Sequence, residues 1–343
     1  MRTKRIYFAI TISIVLFLSF AATLSAIPTP TGPDYYKSKL ITYIVATKPG
    51  GGYDAYARLI GRYMQKYIPG STIAVKNAPG AGHILGANET FLERPNGLTM
   101  GTFNTGLIYA QLVGMKGVKF DLTKFDYIGK ATSEPRLLVV NKKTPYKTMK
   151  EFMESPKLIK MGSSGVGSQN HNETLILIAA TGVKNIKAIG GYPGKDLDMG
   201  LLRGEIDGTV GSYDGLFELI KSGEVRPLMQ FTNKKWPGLE NVPTTQELNI
   251  PERGKKLLAL VSHIGVIGRL TAVPPHIRPE RLAVLRDAYH KALNDPAMRA
   301  EGKKVGFEFD PLYGNDVVNV VKEALNQPPE NLALLKEILR VED

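Results

Sequence analysis

The residues best suited to chemistry in this chain are glycine-rich turns at 49–54, 77–83, 162–171 and 211–213, and the chemistry they suit is capture of an anion. Each turn opens a segment of helical period. The first backbone N–H groups of a helix have no partner inside it and point beyond its N-terminus. Glycine lets a ligand approach that backbone closely, and the helix dipole favours negative charge there by about 0.3–1 kcal/mol. One such turn is commonplace; four of them imply a cleft lined with backbone donors.

Side chains in and beside these turns have two readings each. Asp54 caps its own helix or orients the loop toward a ligand, and Arg58 one turn on pairs with it or meets an anion. His83 and His171 stand at helix entrances, where an imidazole donates to a ligand oxygen or is satisfied by loop carbonyls. Ser164 and Ser168 suit turn chemistry and capping as well as ligand contact. Asn104 and Thr105 end a strand and either face the cleft or form an ordinary turn.

Catalytic patterns are missing. The nearest approach to a nucleotide-phosphate loop, Gly190-Gly191-Tyr192-Pro193-Gly194-Lys195-Asp196, has the wrong spacing and an aspartate where a hydroxyl is required. Gly162-Ser163-Ser164-Gly165-Val166-Gly167 does not follow the dinucleotide order. There is no G-x-S-x-G elbow, and the five histidines show no metal-ligand spacing. The absence of cysteine removes thiolate nucleophiles, disulfides and a lipidated cysteine. No catalytic residue, metal or cofactor is expected.

The elements that would position the turns read as α/β layering. Strands are expected at 40–46, 71–76, 98–103 and 127–131, with helices after the first two. Tyr56, Leu59, Ile60, Tyr63 and Tyr67 mark one helix face, and a second helix covers 84–92. The apolar run 137–140 is read as a crossing into a second lobe. That lobe holds strands near 158–161, Ile186, Asp207 and 225–231, and a helix through 175–180 stopped by Gly182. A second apolar run, 257–267, is read as the return crossing, and helices fill the remainder. The expected division is 1–26 signal peptide, 27–36 linker, 37–135 with 252–343 as lobe 1, and 136–251 as lobe 2.

Composition agrees with an exported globular chain. Arg2, Lys4 and Arg5 precede an apolar run from 6 to 22 and small residues up to Ala26, the pattern of an export signal, with an uncleaved anchor as its rival. The formal charge of +12 falls to +9 without those three cations, a moderate excess that favours an anionic ligand on approach. No basic tract interleaved with aromatics supports nucleic-acid binding.

Several motifs, in order, resemble the substrate-binding component of tripartite tricarboxylate transporters, the Bug-type receptors. Pro49-Gly50-Gly51-Gly52-Tyr53-Asp54 with Ala57-Arg58 looks like that family's P-G-G-x-x-D-x-x-A-R. Asn77-Ala78-Pro79-Gly80-Ala81-Gly82-His83 with Gly86 looks like its N-x-x-G-A-G-G-x-x-G. Gly162 to Ser168 with His171 is similar to its G-S-x-G-x-G-S-x-x-H, and Asn241-Val242-Pro243-Thr244 resembles its loop before the return crossing.

The resemblance implies a two-lobed periplasmic-binding-protein fold, type II-like, with two hinge-crossing strands. It implies a carboxylate held by the first two glycine loops, through Gly51, Gly52, Tyr53, Asp54, Gly80, Ala81, Gly82 and His83. Asn104 and Thr105 are expected beside them. The second lobe would close from Ser164, Gly165, Ser168, His171 and Ser212. Two departures bear on the ligand: His83 replaces a glycine, and Gly190 to Gly194 stands where the family has V-P-Y-K-G. The implied partners are a small carboxylate and membrane permease subunits, for a monomer in the periplasm. The alternatives are a carboxylate sensor feeding a signalling partner, or an exported enzyme using Asp54, His83 or His171 as acid or base.

Overall fold

In the computed structural model, residues 31–339 are described. The signal segment expected at 1–26 and the start of the linker lie outside the described residues.

The first part of the chain alternates strand and helix: β1 (Leu40–Val45), α1 (Gly52–Lys66), β2 (Thr72–Asn77), α2 (Ile84–Leu92), β3 (Thr99–Phe103), α3 (Gly106–Val113) and β4 (Asp126–Lys130). The middle does the same: β5 (Arg136–Asn141), α4 (Met149–Met153), β6 (Ile159–Gly162), α5 (Gln169–Thr181), β7 (Ile186–Ile189), α6 (Lys195–Arg203), β8 (Gly208–Ser212), α7 (Tyr213–Lys221) and β9 (Val225–Phe231). The last part comprises α8 (Glu252–Ile267), β10 (Leu270–Val273), α9 (Pro279–Asn294), α10 (Pro296–Lys304), β11 (Leu312–Tyr313), α11 (Asn315–Leu325) and α12 (Pro329–Ile338).

These strands form two sheets, ordered β11-β4-β10-β3-β1-β2 and β7-β6-β8-β5-β9. In the first, β1 pairs parallel with β2 and β3, and β10 returns antiparallel between β3 and β4. In the second, β6 pairs parallel with β7 and β8, and β5 runs antiparallel between β8 and β9. Helices cover both faces, so central strands are apolar on both sides. In β5, Leu138 and Val140 enter one apolar cluster while Leu137 and Val139 enter another. The cluster holding Leu138 also contains Phe103 and Leu107 from beside the first sheet, so one core is continuous between the two.

The two crossings are where the sheets exchange chain, and they sit slightly away from the expected places. The run 137–140 lies wholly inside β5, so the outward crossing is the segment 131–135 before it. The run 257–267 is helical: Leu257, Leu258, Leu260, Val261, Ile264 and Ile267 are all buried within α8. Within the run only His263 interrupts the apolar residues strongly, so its pattern reads the same as strand or helix, which is why periodicity misplaced it. The extended return begins only at Gly268. It runs beside the outward segment: Ala131 N–H donates to Arg269 C=O at 3.0 Å, Arg269 N–H to Thr132 C=O at 3.1 Å, and Glu134 N–H to Gly265 C=O at 2.8 Å. Meanwhile α8 packs along α5 and also meets α11, touching elements that belong with both sheets.

Candidate functional site

A cleft of about 460 Å³ opens between the two sheets, lined from both sides by the glycine turns. From the first-sheet side come Gly51, Gly52, Tyr53, Gly80, Ala81, Gly82, His83 and Asn104. From the second come Ser164, Gly165, Ser168 and Ser212. Each turn follows a strand and precedes a helix, so the sheets aim their carboxyl-end loops into one gap. In α1, Ala55 N–H bonds Gly51 C=O, and the amides of the three residues before Ala55 precede any carbonyl able to serve them within the helix. They are directed at the cleft end of the helix.

Three expected contacts stand behind the wall. Asp54 is buried and accepts from Gly50 N–H at 2.9 Å, from Asn77 Nδ2 at 2.8 Å and from Arg58 Nε at 2.9 Å. Burial alone would raise its pKa, but those three partners outweigh it and hold the carboxyl below its ordinary value. Its oxygens are committed to bracing the first loop against the second. Thr105 is buried and accepts from Gln169 Nε2 at 3.0 Å, linking the end of β3 to the start of α5. His171 lies in the first turn of α5 with Nδ1 3.4 Å from Ser163 Oγ, and burial lowers its pKa. Of the three residues named as a possible acid or base, Asp54, His83 and His171, only His83 lines the cleft.

Several lining residues were not anticipated. Lys48, Pro193, Gly194, Lys195 and Asp198 form one rim, where Lys48 Nζ stands 3.5 Å from Asp196 and Lys195 Nζ 2.7 Å from Asp198. The sequence signal was the odd loop 190–194. Glu134, Arg136 and Gln169 also reach the lining. Arg136 is buried and bonds Glu173 through Nε at 2.8 Å and Glu134 through Nη1 at 3.1 Å. Tyr53 Oη donates to the other Glu134 oxygen, and Gln169 Nε2 to Glu173 at 2.9 Å. Burial raises the Glu173 pKa against the pull of Arg136, while the two carboxylates keep Arg136 firmly charged despite its own burial.

A second buried cation stands behind the first turn. Arg269 is covered by the rings of Tyr53 and Tyr56, with its Cζ 4.2 and 4.6 Å from their centroids, and its Nε bonds Asp214 at 2.9 Å. It lies so close to Gly52 that a β-carbon there would come within 2.6 Å of Nη2. Any side chain at position 52 would thus have to displace the Arg269 guanidinium from its place between the rings and Asp214. The buried cations Arg136 and Arg269 are committed to carboxylates of the chain, while Lys48 and Lys195 hold exposed pairs at the rim, so the donors inside the cleft are chiefly amides and neutral side chains. Buried polar atoms without partners include Thr47 Oγ1, His83 Nδ1 and Asn104 Oδ1, all on residues of the cleft lining.

Two α/β halves joined by paired crossings, with a cleft between them lined by the turns of both, have the two-lobed architecture of periplasmic binding proteins. The family model described as tripartite tricarboxylate transporter family receptor matches residues 56–336, and the chain belongs to that family. Among similar proteins, BugT of Bordetella pertussis is 27% identical over 245 residues, covering 68% of this chain and 72% of BugT. A further relative, from Pseudomonas sp., is matched over 64% of its length. Two solved structures from Rhodopseudomonas palustris share the fold at 22% identity: MatC with bound malate, with a TM-score of 0.70, and Rpa4515 with adipate, with a TM-score of 0.73. Each covers 88% of this chain, which covers 99% and 98% of theirs.

Proposed function

We propose that this protein captures a small mono-, di- or tricarboxylate between its lobes and hands the closed, loaded form to the membrane permease of a tripartite transporter, without altering the ligand. The lobes are taken as 37–135 with 252–343 and 136–251, with α8 bridging them. The protein acts as a monomer in the periplasm after removal of residues 1–26.

The observation that carries this reading is that the glycine turns of both halves line a single cleft. Backbone amides at the start of α1 and around Gly80–Gly82 receive the carboxylate, and Ser164, Ser168 and Ser212 approach from the facing half. Amide donors suit a carboxylate and leave its carbon skeleton to pocket shape. Malate in MatC and adipate in Rpa4515 are ligands of the proposed class. A ligand shifts the opening equilibrium only through contacts made differently in the two states, which a two-sided site provides.

The test is thermal unfolding with a panel of organic acids, sugars and amines. A ligand at 100 times its Kd adds about 2.7 kcal/mol to native stability. At least one carboxylate is expected to raise Tm on that scale and to be recovered intact after long incubation. A response confined to sugars or amines would overturn the reading, and turnover of the acid would overturn its non-enzymatic part.

A further inference from the structure

His83 stands in a backbone conformation that an L-residue with a β-carbon adopts reluctantly. Its φ is +83° and its ψ −3°, the left-handed region, at the residue that caps α2. Glycine adopts this conformation freely, and glycine is what the motif it resembles carries here. The imidazole is therefore retained against the local backbone preference. Strain kept at a ligand loop is a reason to ask what the side chain does there.

The ring lies edge-on to Tyr53, with centroids 6.0 Å apart and planes at 76°, and it forms part of the cleft wall. Nδ1 is buried without a hydrogen-bond partner. Orphaned buried N–H groups are rarer than orphaned acceptors, so the proton belongs on Nε2 and Nδ1 keeps its lone pair. Burial pushes the pKa down to about 4. The ring is thus a neutral, single donor at neutral pH. Its neighbour Gly82 meets the facing half, where a β-carbon would come within 2.7 Å of Gly167 O. The imidazole is held next to a point where the two lobes touch.

We propose that His83 is a specificity-determining residue, donating one hydrogen bond from Nε2 to the bound acid and filling room that a glycine would leave for a longer one. This rests on the carboxylate reading above. A neutral donor rewards an acceptor placed opposite it without adding the unselective pull of a charge, and the ring's volume limits chain length on that side.

The test is titration calorimetry on the full mature chain at pH 7.5 with succinate, malate and adipate, comparing wild type, His83→Gly and His83→Asn. Both variants are expected to fold, since glycine and asparagine tolerate left-handed φ. In His83→Gly the ratio of adipate affinity to malate affinity is expected to rise at least tenfold. His83→Asn, which keeps a short donor, should fall between the two. An adipate-to-malate ratio within twofold of wild type in His83→Gly would overturn the proposal while leaving carboxylate capture intact. Failure of the wild type to bind any acid would overturn both.

Discussion

Arg136 is the residue on which the floor of the cleft depends. Its guanidinium faces two carboxylates, Glu134 and Glu173, which are at most 3% exposed. Removing one partner of a buried pair leaves an uncompensated charge, at a cost of about 3–5 kcal/mol. Arg136→Ala should lower the free energy of unfolding by that amount in urea titrations, whereas substitution of an exposed cation such as Lys150 should change it by under about 0.5 kcal/mol. Equal effects would show that the network adds nothing beyond a surface charge. None of this was visible residue by residue. Glu134, Arg136, Gln169 and Glu173 are ordinary polar letters in sequence, and only burial of the crossing beside α5 makes them a cluster.

At the scale of elements, the glycine turns were legible because they punctuate strand and helix at a local spacing. The helix over 84–92 and the strand over 225–231 match the structure to the residue for the same reason: their signals are short-range. The return crossing was misplaced because the exposed side of α8 within 257–267 carries only His263 as a polar residue, beside an exposed Val266, too little to mark a surface helix. Among the turns, the one at 80–83 has a role that a single substitution can test. Gly82 has φ +60° and faces the Gly167 carbonyl across the cleft, so a methyl group meets both a backbone cost of about 1–2 kcal/mol and an obstruction to closing. Gly82→Ala is expected to weaken ligand binding at least tenfold, equivalent to about 1.4 kcal/mol, in calorimetry. Unchanged affinity would mean that the loops need not meet for the ligand to be held.

For the whole molecule, the paired crossings at 131–134 and 265–269 join the sheets through hydrogen-bonded backbone. Opening about these segments separates the turn at 80–83 from that at 162–168 while leaving both sheets intact. Small-angle scattering should therefore give a ligand-free radius of gyration above the value of about 19 Å that suits a compact chain of about 310 residues. Saturating carboxylate should bring it down toward that value. A radius that stays constant, with binding established by calorimetry, would remove hinge closure from the account.

The sequence by itself determined the alternation of strands and helices, the turns rich in unpaired amides, the missing catalytic patterns and the family motifs, because each of these is written in residues close together along the chain. The tertiary structure alone decided that Asp54, Thr105 and His171 brace the walls while Lys48, Glu134, Arg136 and Lys195 line them. Those assignments depend on which segments meet across the crossings, and contacts between residues far apart in the chain are set by the packing of sheets and helices, which no local spacing records.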